Sequence, residues 1–178
     1  MSLAANGVDA TMVTIRAARQ DEFARLAEIE LDAFAVWAQA CGTSLEPSVA
    51  PDHLLQESLD HELLLVAEEG GRLLGFSLGL VVDDDLYLVE IDVERAAQGK
   101  GVGRSLMLAL LEEGRKRGLT SALLTTDRHV PFNAPFYTKL GFCILEGADT
   151  PVFLRKRLQK QIESGLDAER RVGMRLIL

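Results

Sequence analysis

The sequence predicts a single α/β domain built on one mixed sheet. Short apolar and β-branched runs alternate along the 178-residue chain with segments in which apolar residues recur every three or four positions. No linker, repeat or low-complexity segment divides the chain, and its length is typical of one domain. We therefore expect one domain over residues 1–178, in the order β-α-α-β-β-β-α-β-α-β-α-β, with residues 1–12 as a flexible N-terminal tail.

The first half contributes a strand, two helices and a hairpin. Residues 13–17 are short and alternating, which predicts a strand, and residues 62–68 and 73–82 flank Gly70 and Gly71 as a hairpin. A proline at the first turn supports a helix over residues 51–59. Three- and four-residue spacing predicts a longer amphipathic helix over residues 21–40, set by Phe23, Leu26, Ala27, Ile29, Glu30, Ala33 and Phe34.

The second half is organised around a central strand, a glycine-rich turn and a helix that ends near Gly118. The remaining predicted elements are strands at 121–126, 142–145 and 171–178 and helices at 131–140 and 152–163. Hairpin neighbours should be antiparallel and strands joined through helices parallel. Residues 147–170 form a helical insertion that could cover a cleft, contact a second subunit or remain a solvated surface helix, which is the interpretation we favour.

Charge is unevenly distributed along the chain. The net charge of −8 argues against nonspecific nucleic-acid binding, which requires a basic face. Residues 20–92 contain 17 acidic and two basic residues, and the rest of the chain contains 10 acidic and 17 basic residues. This asymmetry suggests a cationic ligand beside one region and a polyanionic ligand beside the other, although segregated solvated surfaces would give the same pattern.

Neither a membrane segment nor a metal site is predicted. The chain has no apolar run near eighteen residues and no recognisable secretory signal, which favours a cytoplasmic protein. Cys41 and Cys143 are far apart and lack zinc-ligand spacing. Asp83, Asp84 and Asp85 fall between two apolar strands, so we expect a solvated turn there.

The turn Gln98-Gly99-Lys100-Gly101-Val102-Gly103 is the most informative stretch. Glycine lets the backbone approach a ligand closely, and the free N–H groups at a helix start favour phosphate. The turn lacks the Gly-x-x-x-x-Gly-Lys-Ser/Thr spacing of a Walker loop. It also departs from the dinucleotide fingerprint Gly-x-Gly-x-x-Gly, because Gly103 comes one position too early after Gly101. It does fit Gln/Arg-x-x-Gly-x-Gly/Ala between a strand and a helix, which predicts a phosphate-bearing cofactor.

Together with the downstream run Asn133-Ala134-Pro135-Phe136-Tyr137-Thr138-Lys139-Leu140-Gly141-Phe142, this turn resembles the GCN5-related N-acetyltransferase superfamily, which binds acetyl-CoA. The resemblance covers most of the chain and implies a mostly antiparallel central sheet flanked by helices. It implies that backbone groups of Ile91, Asp92 and Val93 and the side chain of Asn133 bind the pantetheine arm. It also assigns the pyrophosphate to Gln98, Gly99, Lys100, Gly101, Val102, Gly103, Arg104 and Ser105.

Two residues are the candidates for acid–base chemistry. Tyr137 lies four residues after Asn133, on the same helix face, and the resemblance places it near the coenzyme sulfur. A phenol is protonated at neutral pH and can donate to a departing thiolate, although a core tyrosine would fit the same context. Glu90 in the apolar central strand is the candidate base, because burial raises the pKa of a carboxyl. A structural or solvent-facing role for Glu90 remains the alternative.

Strand alternation predicts which side chains accompany Glu90. It places Glu90 and Asp92 on one face and Val89, Ile91 and Val93 on the other. Asp92 is therefore the second candidate base.

The resemblance implies an N-acetyltransferase that acts on a primary amine by direct attack on the thioester, with the carbonyl polarised by a backbone N–H near Val93. The acidic region favours a cationic acceptor, and the expected partners are a coenzyme A thioester and this amine, without nucleic acid, membrane or metal. A homodimer is common in the family. Two alternatives stay open: an acyltransferase of the same fold with another acyl group or acceptor, and a noncatalytic acetyl-CoA-binding sensor or assembly module.

Overall fold

Seven strands form one sheet in the order β1-β2-β3-β4-β5-β7-β6, with helices on both faces. The computed structural model describes residues 12–178, so the predicted N-terminal tail lies outside the described residues except for Met12. The strands are β1 Thr14–Ala17, β2 Leu64–Glu69, β3 Arg72–Val82, β4 Asp85–Val93, β5 Ser121–Asp127, β6 Cys143–Leu145 and β7 Arg171–Ile177. The helices are α1 Phe23–Cys41, α2 Asp52–Asp60, α3 Val102–Lys116, α4 Ala134–Lys139 and α5 Val152–Glu163. The predicted order of elements is confirmed.

Strand directions confirm a mixed, mostly antiparallel sheet and correct one expectation. Within the described part of the chain, only β4 and β5 are parallel neighbours, joined through α3. The helical connections from β1 to β2 and from β6 to β7 join antiparallel neighbours, so the prediction that strands joined through helices are parallel is wrong for them. A connection that contains a helix is long enough to return in either direction, and β7 returns between β5 and β6.

Each face of the sheet has its own apolar core. On one face α3 and α4 pack against the sheet, with Leu86, Leu106, Met107 and Leu110 almost fully buried. On the opposite face α1 and α2 pack through Leu26, Ile29 and Leu55 against β2 and β3. Burial of each such side chain contributes about 1.5–3 kcal/mol to folding. Within residues 12–178, no helix is both long and apolar enough to cross a membrane.

Helix α5 lies on the same face as α1 and α2. Leu154 is fully buried against Tyr87 and Leu123, and Phe153 contacts the Tyr87 ring edge-on with a centroid distance of 4.8 Å. Its exposed side carries Arg155, Lys156 and Lys160. The helix is therefore amphipathic and covers the part of the sheet formed by β5 and β7.

The parallel strands β4 and β5 separate after a short paired stretch. They pair at Asp85–Ser121, Leu86–Ala122 and Tyr87–Leu123, and the recorded pairing ends there although β4 continues to Val93. The separation leaves a cleft, and beyond Tyr87 the edge of β4 that faces β5 has no strand partner among residues 12–178. A bulge in β4 lies at this point, because Gly79 pairs with Leu88 and Leu78 pairs with Glu90. Bulges bend a strand and increase its twist, which accounts for the divergence.

Candidate active site

The bulge in β4 changes which side chains enter the cleft. Ile91 and Val93 pack on the α3 face of the sheet. Val89 packs on the α1 face, against the core that contains Leu78. Glu90 is opposite Leu78 in the register and therefore shares this face with Val89. The alternation prediction is right for Ile91 and Val93 but wrong for Val89, because the extra residue places two successive side chains on the same side.

Glu90, Asp92 and Glu30 form a cluster of three carboxylates, which we call the acid trio. One carboxylate oxygen of each residue lies within 4.8 Å of those of the other two. Glu30 comes from α1, is only 8% exposed, and accepts the backbone N–H of Ala50 at 3.0 and 2.9 Å. Asp92 Oδ2 is buried without a hydrogen-bond partner among the described residues. Within residues 12–178 no arginine, lysine or histidine forms an ion pair with the trio.

Burial and mutual repulsion keep protons on this cluster. Burial, and then the charge of Glu30, raise the pKa of Glu90 to about 7, against the opposing influence of Arg157 and Arg171. Burial, and then the charges of Glu90 and Glu30, raise the pKa of Asp92 well above its ordinary value. Burial also raises the pKa of Glu30, although the Ala50 N–H opposes the change. Glu90 is therefore the member that titrates near neutral pH.

Tyr137 lies in the core on the α3 face of the sheet, opposite the face that carries the acid trio. Its ring is 7% exposed and packs edge-on against Phe136 and Phe142, with centroid distances of 5.1 and 5.8 Å. Burial, and then the charges of Asp92 and Glu90, raise the pKa of Tyr137 above its ordinary value. The phenol is therefore protonated at neutral pH and can donate a hydrogen bond in the cleft.

Asn133 stands just before α4, on the segment that supports Tyr137. Its backbone carbonyl accepts the N–H groups of Phe136 and Tyr137 at 2.8 and 3.1 Å, which closes the first turn of α4. The side chain is half-buried. It is not among the side chains that form hydrogen bonds within the described part of the chain, and its amide is therefore available to a ligand.

The glycine-rich turn lies at the end of β4. Gln98 Nε2 donates to the Val93 carbonyl oxygen at 2.9 Å and thereby fixes the turn to the strand. Gly99 and Gly101 have φ angles of +75° and +86°, and a Cβ at either position would point into open space. Gly101 precedes α3 without a side-chain cap, so the first N–H groups of α3 are free to bind an anion.

The other predicted residues of the turn divide into exposed and buried groups. Lys100, Arg104 and Ser105 are exposed beside the start of α3. Val102 is buried in the α3 core, so only its backbone can contact a ligand. A Cβ on Gly103 would lie 3.6 Å from Val93 Cγ2, an ordinary contact, so Gly103 faces β4.

Three charged side chains that influence the pKa of Glu90 were not predicted from the sequence as part of the site. Glu30 carried a signal, because a carboxylate in the apolar spacing of an amphipathic helix faces the interior. Arg157 and Arg171 carried none, since their influence on Glu90 arises from the packing of α5 and β7 beside β5. His129 is exposed in the loop after β5.

Residues 23–142, from α1 to the residue before β6, match the model of the acetyltransferase (GNAT) family. The chain belongs to this family. A mycothiol acetyltransferase of Nocardia farcinica is 44% identical over 77 residues, which are 40% of this chain and 25% of that protein. The chain thus spans about a quarter of the length of the curated relatives it matches.

Solved structures of GNAT proteins share the fold. A GNAT acetyltransferase from Staphylococcus aureus Mu50 superposes with a TM-score of 0.70 at 14% identity, covering 94% of this chain and 99% of that one. The PaiA N-acetyltransferase of Thermoplasma acidophilum, solved in complex with coenzyme A, gives a TM-score of 0.66 at 16% identity, with coverage of 94% and 99%. At these identities the similarity establishes the architecture of the sheet and helices.

Proposed function

We propose that this protein transfers an acetyl group from acetyl-CoA to a primary amine by direct attack, without a covalent enzyme intermediate. The observation that carries the proposal is the continuity of β4. One end of the strand leads into the glycine-rich turn, its free edge borders the cleft, and two of its side chains, Glu90 and Asp92, belong to the acid trio. Family membership supports the same reaction class.

The residues around β4 fit a coenzyme A thioester. Open space beside Gly99 and Gly101, the free N–H groups of α3 and the charges of Lys100 and Arg104 suit the phosphates. The free edge of β4 offers backbone groups at residues 91–93 to the amides of the pantetheine arm, as a sheet edge does for an added strand. The side chain of Asn133 is available nearby. When bound, acetyl-CoA supplies an activated acyl thioester.

The acid trio accounts for the proton chemistry. An ammonium group cannot attack until it loses a proton. The carboxylate form of Glu90, whose pKa is about 7, accepts that proton at neutral pH, directly or through water. The trio also favours a cationic acceptor by charge. As the N–C bond forms and the C–S bond breaks, the amine loses a second proton, and the departing sulfur gains one. Tyr137 donates a hydrogen bond to that sulfur, and a backbone N–H at the Val93 end of β4 polarises the carbonyl.

Turnover with substituted enzymes tests this chemistry. A panel of primary amines is incubated with acetyl-CoA and thiol release is measured. We expect Glu90→Gln to lower kcat about 10²–10⁴-fold and Tyr137→Phe about 10²-fold, because each loses an acid–base group. Glu69→Gln, an exposed carboxylate at the end of β2, is the control. If the coenzyme binds and no amine is acetylated, the protein is a noncatalytic acetyl-CoA-binding module.

Paired glycine substitutions test the coenzyme site. Gly101 and Gly118 precede and follow α3 with φ angles of +86° and +69°, and both face open space. Alanine at either position costs about 1–2 kcal/mol of backbone strain. Calorimetry should show at least tenfold weaker acetyl-CoA binding for Gly101→Ala and unchanged binding for Gly118→Ala. Equal affinities of the two variants for acetyl-CoA would show that the pyrophosphate does not bind at this turn.

The acyl group, the location and the assembly complete the proposal. Acetyl-CoA is the proposed donor, and comparison with longer acyl-CoA thioesters in the same turnover measurement separates it from another acyltransferase of this fold. We place the protein in the cytoplasm without a resident metal. A homodimer, the common family assembly, is tested by sedimentation.

A further inference from the structure

A cavity of about 180 Å³ lies where the end of α1, the end of β5 and the start of β7 meet. Its lining includes Trp37, Cys41, Asp127, Leu166, Arg170 and Arg171. It is separate from the glycine turn, which lies at the end of β4. Arg171 connects the cavity with the acid trio, because β7 lies two strands from β4 in the sheet and the charge of Arg171 opposes the rise in the pKa of Glu90.

Arg171 is a half-buried cation without a carboxylate partner among the described residues. It belongs to β7 and lies on the face that α5 covers, since the next residue on that side, Gly173, faces Leu154. Its Nε and Nη2 both donate to a single oxygen, Gln161 Oε1, at 3.2 and 3.0 Å. The amide of Gln161 is held in turn by Thr125 Oγ1 at 3.0 Å. The guanidinium is thus positioned by neutral groups.

The nearest acid across the sheet is already committed elsewhere. Asp127 is opposite Arg171 in the register of β5 and β7. Arg170 donates to both of its oxygens, from Nε to Oδ2 at 2.7 Å and from Nη2 to Oδ1 at 3.2 Å. Backbone N–H groups of His129 and Val130 also donate to Oδ1, at 2.7 and 2.9 Å. Asp127 therefore neutralises Arg170, and Arg171 keeps its positive charge.

Opposite charges thus lie on the same face of the sheet, and neither the acid trio nor Arg171 has an ion-pair partner among the described residues. The acid trio extends from β4 and α1, and Arg171 extends from β7 on the far side of β5. Burial lowers the pKa of Arg171, opposed by the charges of its neighbours, in keeping with a desolvated cation. A half-buried charge without an ion-pair partner is costly, and a guanidinium fork matches a carboxylate well.

We propose that the acetyl acceptor is a primary amine that also carries a carboxylate, an amino acid or a short peptide with a free C-terminus. Its ammonium group binds at the acid trio, and its carboxylate binds Arg171 in the cavity. This inference rests on the proposed acetyl transfer and specifies its substrate class. Trp37 and Leu166 give the cavity an apolar wall for the acceptor's side chain. Strands β4 and β7 are two positions apart, roughly 10 Å or more at the backbone, which suits acceptors of one or two residues.

Matched acceptors test the carboxylate directly. The panel contains α-, β- and γ-amino acids and dipeptides, each paired with its C-terminal carboxamide. With wild-type enzyme, we expect kcat/KM to be at least tenfold higher for the best acid than for its amide. Arg171→Gln should raise KM for that acid ten- to hundredfold with little change in kcat, and should leave the amide within twofold. Arg171→Lys keeps the charge but loses the guanidinium fork, so its KM for the acid should lie between the values of the wild type and of Arg171→Gln.

Arg175→Gln is the matched control. Arg175 lies on the same strand and face, about 13 Å further along, and its Nε is buried without a hydrogen-bond partner among the described residues. It does not line the cavity, so its loss should preserve the difference between acid and amide.

A binding measurement separates the two proposals. The N-acetyl derivative of each acid and of its amide is titrated into the coenzyme A complex of the protein by calorimetry. The acid derivative should bind more tightly than the amide derivative, and Arg171→Gln should abolish this difference. Acetylation of monoamines or amides as readily as acids would overturn the carboxylate site and leave acetyl transfer standing. Equal effects of Arg171→Gln on acids and amides would also overturn it. Absence of turnover with every amine would overturn acetyl transfer and, with it, this assignment.

Discussion

Two groups of buried carboxylates occupy opposite electrostatic environments in this molecule. Glu22, Glu94 and Asp127 each lie beside an arginine, with N–O distances of 2.6, 2.6 and 2.7 Å to Arg16, Arg25 and Arg170. Glu30, Glu90 and Asp92 lie beside one another and have no such partner within residues 12–178. The two groups contain the same residue types, so their partners rather than their identities decide their roles.

The partners also decide the direction in which the pKa values of Glu22, Asp127 and the acid trio move. Hydrogen bonds from Arg16 lower the pKa of Glu22 despite its burial. Burial tends to raise the pKa of Asp127, yet hydrogen bonds from Arg170 and two backbone N–H groups lower it below its ordinary value. In the acid trio burial and like charges act together and raise the pKa values. The paired carboxylates stabilise the fold, and among the unpaired ones Glu90, with a pKa of about 7, exchanges a proton near neutral pH.

Removing a paired carboxylate should have the largest effect on stability. We expect Glu22→Gln to lower the free energy of unfolding by about 2 kcal/mol at pH 7, because Arg16 loses its buried partner while staying partly solvated. The folded-state pKa of Glu22 is lowered from its ordinary value of 4.5. The destabilisation by Glu22→Gln is therefore at its maximum above pH 4.5 and vanishes as the pH falls through the lowered folded-state pKa. Urea denaturation at several pH values measures it. Glu112→Gln, an exposed carboxylate of α3, should change stability by less than about 0.5 kcal/mol.

Removing an unpaired carboxylate should have the opposite sign. We expect Glu90→Gln to raise the free energy of unfolding by about 1–2 kcal/mol at pH 8, because it removes a buried charge beside two other carboxyl groups. The folded-state pKa is raised, so the gain is absent below pH 4.5, grows as the pH rises, and is constant above about 7. If Glu90→Gln instead lowered the free energy of unfolding at pH 8, the charge of Glu90 would be compensated in the folded protein. The contrast between the arginine-paired carboxylates and the acid trio would then be wrong.

The pH dependence of catalysis sharpens the comparison further. If Glu90 is the base, kcat/KM rises about tenfold per pH unit below pH 7 and levels off above it, following the pKa of about 7. The ratio of wild-type to Glu90→Gln rates at each pH cancels the titration of the acceptor itself. A ratio that is independent of pH would assign the proton transfer to another group.

Much of the fold was predictable because local patterns fix local structure. The helix predicted over residues 152–163 is α5, Val152–Glu163, and the strand predicted at 121–126 extends by one residue, to Asp127. Strand direction was less predictable, since nothing in the spacing indicates that β7 inserts between β5 and β6. Val89 was assigned to the wrong face because a bulge depends on the partner strand as well as on its own sequence.

The sequence alone determined the elements, the glycine-rich turn and the family, because those features depend on contiguous residues and their spacing. It also indicated Glu90 and Tyr137, through an acid in an apolar strand and a tyrosine four residues after Asn133. Only the tertiary structure placed Glu30 from α1 against Glu90 and Asp92, and left Arg171 without a carboxylate partner among the described residues. Charge compensation depends on distances of a few ångströms between residues far apart in the chain, and the order of residues does not specify those distances.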